Sequence, residues 1–92
     1  MDFEEKVYIA IGKNVRKYRQ EKGISQEKLS ELLGANSKFI GHVERFERYI
    51  SLKKLIQISE ILCVPLTSLV EIGWFNSFVI DSKLNQPNKT NF

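Results

Sequence analysis

Between positions 3 and 70, apolar residues recur at steps of three and four, and glycine, serine and proline cut that pattern into short lengths. Phe3, Val7, Ile11, Val15 and Tyr18 mark one face of a first helix, which Gly23, following Lys22, brings to an end. Ser25 reads as the N-cap of a second helix with Leu29, Leu32 and Leu33 at helical spacing. Lys28 holds its third position, so no capping box forms there. Gly34 ends that helix. Asn36 is placed to cap a third helix whose inner face carries Ile40 and Val43. Ser51 caps a fourth, with Leu52, Leu55, Ile56, Ile58, Ser59 and Leu62. Pro65 fits the opening turn of a fifth, with Leu66, Leu69 and Val70. The expectation is an all-α, five-helix domain over residues 1–72.

Beyond it the chain changes character. The stretch WFNSFVI at 74–80 is strongly apolar, so residues 73–81 read as a short C-terminal extension. It either folds back to cap the core or builds a dimer interface, and its large aromatics favour the second. Residues 82–92, rich in Asn, Lys, Gln and Ser, read as a flexible polar tail.

At 92 residues the chain buries a limited fraction of its surface, and a partner subunit would help it. A hydrophobic content of 42% suits a folded domain, and no apolar run approaches the ~20 residues that span a bilayer. The acidic first residues lack a signal-peptide core, so a soluble cytoplasmic protein is expected, with no membrane partner. The lone cysteine, Cys63, cannot form an internal disulfide, and with the lone histidine, His42, it makes no zinc site. Cys63 is expected as a small buried hydrophobe. There is no nucleophile–base set, no useful pair of carboxylates and no phosphate-binding glycine loop. The residues therefore argue against an enzyme and suggest no cofactor, metal or small-molecule ligand.

Charge points elsewhere. The net charge is +3, but residues 13–54 hold eleven Lys or Arg against five Glu. Such a basic segment on a rigid module attracts phosphate, although solvated helix faces are also charged. Within it, two short helices meet at a glycine turn, the plan of a helix-turn-helix over about 26–45. The plan needs a small residue where the helices cross, which is Ser30. Its turn needs tolerance of positive φ, supplied by Gly34. Ile40 and Val43 lock the second helix down, leaving Ser37, Lys38, Gly41 and His42 on its other face.

The segments IGKNVRKYRQEKGISQEKLS (11–30) and ERFERYISL (44–52) resemble the phage repressor/Cro-like, or XRE-type, helix-turn-helix family. The second segment is most similar to restriction-modification controller proteins. The resemblance implies a five-helix repressor-like fold and a homodimer on a partly palindromic operator in double-stranded DNA. The function it implies is transcriptional repression or control. It assigns Gln26 and Phe39 to the sugar-phosphate backbone and Ser37, Lys38, Gly41 and His42 to base-facing positions. It makes Arg19 and Glu44 a partly buried structural ion pair, and it shares Leu66, Leu69 and Val70 between core and dimer interface. Lys22, Lys28, Asn36, Arg45 and Arg48 are further candidates for phosphate contacts, and Trp74, Phe75 and Phe78 for the interface.

Lys38 is suited to guanine O6/N7 or to phosphate, His42 to a base or phosphate, and Ser37 to either or to the helix cap. Three positions depart from the family pattern. Phe46 and Cys63 stand at helix C-caps where a left-handed backbone is favoured; such a residue there costs about 1–2 kcal/mol, or the cap changes shape. Gly41 lowers helix stability by up to ~1 kcal/mol. It either lets the backbone approach DNA or marks weakened reading. Gly41, Phe46 and the aromatic 74–80 stretch motivate an alternative, a protein-interaction module on the same fold with weak or no DNA binding.

Overall fold

The computed structural model describes residues 2–73, and these form five α-helices with no strand. They are α1 (Phe3–Lys22), α2 (Gln26–Leu32), α3 (Phe39–Glu44), α4 (Leu52–Leu62) and α5 (Leu66–Val70). The expected all-α, five-helix class is the observed one. Trp74, Phe75, Phe78 and the whole 74–92 segment lie outside the described residues.

The long first helix is the spine. It packs against α3, α4 and α5, while α2 packs on α3. Ile11 and Val15 from α1, Leu29 and Leu33 around α2, and Phe39, Ile40 and Val43 from α3 meet Leu55, Ile58, Leu62 and Leu69 in one core. The apolar faces read from periodicity are partly corrected at their margins. Leu32, Leu52 and Ile56 are exposed, each lying one side of the buried stripe. A side-chain amide adds a polar tie: Asn14 donates to the carbonyls of Leu69 (3.0 Å) and Glu71 (2.9 Å), pinning the end of α5 to α1.

The starts of α2 and α4 follow the sequence signals. Ser25 Oγ accepts from Lys28 N (2.9 Å), and Ser51 Oγ accepts from Lys54 N (3.2 Å). The start of α1 holds a capping box, for which Asp2 followed three residues later by Glu5 is the sequence signal. Asp2 Oδ1 accepts from Glu5 N (2.8 Å), and Glu5 Oε1 accepts from Asp2 N (3.1 Å).

Helices α1 to α4 all stop by the same device. In each, a residue one position past the helix (α1, α4) or two positions past it (α2, α3) takes a left-handed backbone, and two amides return to the last turn. Gly23 does this with φ 73° and Gly34 with φ 69°. After α3 the residue is Phe46 (φ 59°), with Phe46 N donating to Val43 O (3.0 Å) and Glu47 N to His42 O (2.7 Å). After α4 it is Cys63 (φ 56°), with Cys63 N donating to Glu60 O and Val64 N to Ser59 O. The caps keep their shape, so the strained-residue alternative is the one observed. At Phe46 a ring contact offsets the strain: Phe46 packs edge-on to Tyr49 (5.9 Å), which in turn meets Tyr8 on α1 (4.5 Å).

At Cys63 the side chain offers only a weak thiol contact, Sγ donating to Glu60 O at 3.7 Å. Cys63 is exposed rather than buried, because its place is fixed by the cap and not by its apolarity. Cys63→Gly is expected to stabilise the domain by about 0.5–1 kcal/mol, raising Tm by roughly 2–8 °C. Thermal unfolding followed by circular dichroism checks this; a lower Tm would refute the strain argument.

Candidate nucleic-acid interface

Ser30 sits at the crossing of α2 and α3 with no exposed surface. Its hydroxyl donates to Gln26 O (2.8 Å) and accepts from Ile40 N (3.0 Å). Ile40 N–H belongs to the first turn of α3, where amides have no partner within their own helix. A residue of α2 thus caps α3 from the side, so a larger residue at 30 would both clash and orphan a buried donor.

The start of α3 differs from expectation. The Asn36 side chain accepts from Lys38 N (2.9 Å) and so closes a local turn, and the helix begins only at Phe39. Asn side chains offer the backbone this alternative to a helical cap. Ser37 and Lys38 therefore stand in the turn before α3 rather than on it, and both are exposed.

The other end of α3 is fixed by charge. Glu44 accepts from Arg19 Nε (2.6 Å) and Nη2 (3.1 Å) and from Gln26 Nε2 (2.9 Å). Arg19 Nη1 also donates to Ile24 O (2.9 Å). The two charged side chains are only 10% and 1% exposed, so water screens them little. One bidentate pair thus joins the C-terminal end of α1, the turn after it, the first residue of α2 and the last of α3.

This lock uses one amide hydrogen of Gln26 inside the fold. The remaining one is the only side-chain donor it can offer a phosphate in this conformation. Gly41 is buried rather than outward-facing: a β-carbon there would lie 3.2 Å from both Gln26 Oε1 and Arg45 Nη1. It is packing space beneath the Gln26 and Arg45 side chains. Phe39 is likewise in the core at 6% exposure, and the cations nearest its ring are Arg48 (5.5 Å) and Lys54 (5.8 Å from the centroid). Phe39 thus supports Arg48 from below. Lys54 was not among the sequence candidates; its signal was its place just inside the Ser51-capped start of α4.

Lys22, Lys28, Asn36, Arg45 and Arg48 are all exposed. Lys28 makes a loose surface pair with Glu31 (3.3 Å), an interaction worth little at such exposure. Around the end of α3 lies a cluster that the sequence did not announce. Glu47 Oε1 lies 2.7 Å from His42 Nδ1 and 3.2 Å from Arg45 Nη2, and Glu47 Oε2 accepts from Arg45 Nε (3.2 Å). A carboxylate only accepts, so the His42 proton sits on Nδ1, leaving Nε2 to accept from a ligand when the ring is neutral. Hydrogen bonds from Arg45 first, then His42, hold the Glu47 carboxyl below the ordinary carboxylate range.

Of the residues assigned to a dimer interface, Leu69 is fully buried within the single chain, so its side chain serves the core. Leu66 is half-buried and Val70 is 37% exposed. Val70 lines an open groove of about 600 Å³ with Phe3, Val7 and Ile72.

Residues 15–69 match the helix-turn-helix family model. The chain is 37% identical over 70 residues to the control protein C.SmaI of Serratia marcescens, covering 76% of this chain and 79% of that protein. Its fold is similar to the restriction-modification controller protein C.AhdI of Aeromonas hydrophila. The TM-score is 0.63 at 32% identity, over 67% of this chain and 94% of that one. It is also similar to a hypothetical transcription factor, NHTF, from Neisseria, with a TM-score of 0.70 at 25% identity over 79% and 84% of the two chains. On the family match over residues 15–69 and the 37% identity to C.SmaI, the chain belongs to the XRE-type helix-turn-helix family.

Proposed function

We propose that this protein is a sequence-specific DNA-binding regulator that acts as a homodimer on a partly palindromic operator and controls a restriction-modification system. The observation that carries the reading is the α2–turn–α3 unit. Its inner side is fixed by Ser30 and Glu44, and its outer side carries exposed Ser37, Lys38, Arg45 and Arg48. The restriction-modification part rests on what the relatives C.SmaI and C.AhdI are named for.

In this mechanism α3 and the turn before it enter the major groove. Ser37, Lys38 and His42 meet base edges, while Lys22, Lys28, Asn36, Gln26, Arg45 and Arg48 meet phosphates. Two copies place their recognition helices ~34–36 Å apart, in successive turns of the major groove. Leu66 and Val70 supply apolar contact between them, joined by Trp74, Phe75 and Phe78. Gly41 does not read bases directly; it lets Gln26 and Arg45 lie close over α3.

Selection of genome fragments by the purified protein, with binding repeated at several salt concentrations, tests the whole reading. Enrichment of a short palindrome beside restriction or methylation genes is the expected result. Absence of enrichment together with absence of salt-dependent affinity would overturn it. Within that assay, Lys38→Ala is expected to relax preference at one base position by ~1–3 kcal/mol, whereas Arg48→Ala weakens all sequences alike. Equal losses on every sequence for Lys38→Ala would remove its base-reading role.

A further inference from the structure

The left-handed turn at Phe46 does more than end α3. It brings the next residue back over the helix: Glu47 N donates to His42 O, and the Glu47 carboxylate reaches both His42 and Arg45. The three side chains are 50%, 38% and 55% exposed, so all can meet a ligand. An anion therefore sits among the donors at the end of α3, and it holds two of them in the free protein.

We propose that Glu47 is a specificity-determining residue that competes with DNA phosphate for Arg45 and His42 and so suppresses binding to non-operator DNA. This rests on the DNA-binding reading of the α2–α3 surface. Phosphate contacts supply essentially all of non-specific affinity. A loosely docked duplex fixes no phosphate beside Arg45 to take the carboxylate's place, so it forfeits the Arg45 contact. A fully docked operator fixes phosphates close enough to draw Arg45 away, and breaking an exposed pair costs it little. Discrimination between partners commonly needs such a repulsive element beside the attractive ones.

The test compares wild type with Glu47→Gln, which keeps the side-chain shape and an acceptor for Arg45 but removes the charge. Glu60→Gln, in the last turn of α4, controls for the same change in net charge. The probes are a scrambled duplex of about 30 base pairs and the fragment that wild type enriches from the genome, each titrated from about 50 to 200 mM salt. On scrambled DNA, Glu47→Gln is expected to bind about tenfold tighter, with a log–log salt slope steeper by about one unit. On the selected fragment the gain is expected to be less than about fivefold, so the specificity ratio falls. Glu60→Gln leaves the ratio in place.

Unchanged affinity of Glu47→Gln for scrambled DNA overturns the proposal. So does an equal gain from Glu60→Gln, which would make the effect one of net charge. Weaker binding of Glu47→Gln to the selected fragment alone also overturns it, in favour of direct base reading by Glu47. If wild type binds neither probe, the DNA-binding reading itself fails and this inference falls with it.

Discussion

Glu44→Ala is expected to lower the stability of the domain by about 3–5 kcal/mol, and its Tm by roughly 15–30 °C. The substitution leaves the Arg19 guanidinium buried without its anion and the Gln26 amide without its acceptor. A domain of this size has only about 5–15 kcal/mol in total, so the variant stands near its unfolding threshold at ambient temperature. Urea unfolding by circular dichroism measures the loss. Removing both charges, as Arg19→Met with Glu44→Leu, is expected to recover a large part of it, since a well-packed apolar pair can replace a buried ion pair. A loss below about 1 kcal/mol for Glu44→Ala would mean that the pair contributes no more than an exposed one.

That expectation also divides what could be read from the sequence from what could not. Helix ends were legible wherever one residue type answers one local demand: Ser25 and Ser51 at N-caps, Gly23 and Gly34 at positive φ. The Arg19–Glu44 pair spans 25 positions and no local rule joins them; only the family pattern did. Asn36 shows where a local rule misleads. Its carboxamide can cap a helix or close a turn; here it closes a turn on Lys38 N, and the helix begins only at Phe39. Cys63 misleads in the opposite way, because a preference for burial yields to the backbone geometry of a cap.

The site follows the same division. The exposed cations were visible as residue types. Which of them is occupied was not, since the Glu47 cluster depends on the turn angle at Phe46. The burial of Gly41 beneath Gln26 and Arg45, and of Phe39 beneath Arg48, also needed three dimensions. Periodicity puts Gly41 on an outer face, but α3 is six residues long and its neighbours reach across it. So short a helix owes its orientation to α1 and α2 more than to its own sequence. The proposed DNA surface is therefore expected to respond to substitutions at residues beneath and behind it.

Gly12 is the strongest case. In the middle of an exposed helix, Gly→Ala normally stabilises by about 1 kcal/mol. Here the expected sign is reversed. A β-carbon at position 12 would stand 2.6 Å from the Val43 carbonyl oxygen, and 3.2 and 3.3 Å from the carbonyl oxygen and α-carbon of Glu44. These are backbone atoms at the end of α3, held by the Arg19 lock, so no side chain can swing aside to admit a methyl group. Gly12→Ala must push α1 and α3 apart, with an expected destabilisation of about 1–3 kcal/mol. The displaced end of α3 carries Arg45 and the Phe46 cap, so operator affinity is expected to fall further than the loss of folded protein explains. Chemical denaturation and DNA titration on the same preparation separate the two effects. A Gly12→Ala domain as stable as wild type would mean that α3 can slide on α1, and that the helix-turn-helix is positioned by its own crossing at Ser30 alone.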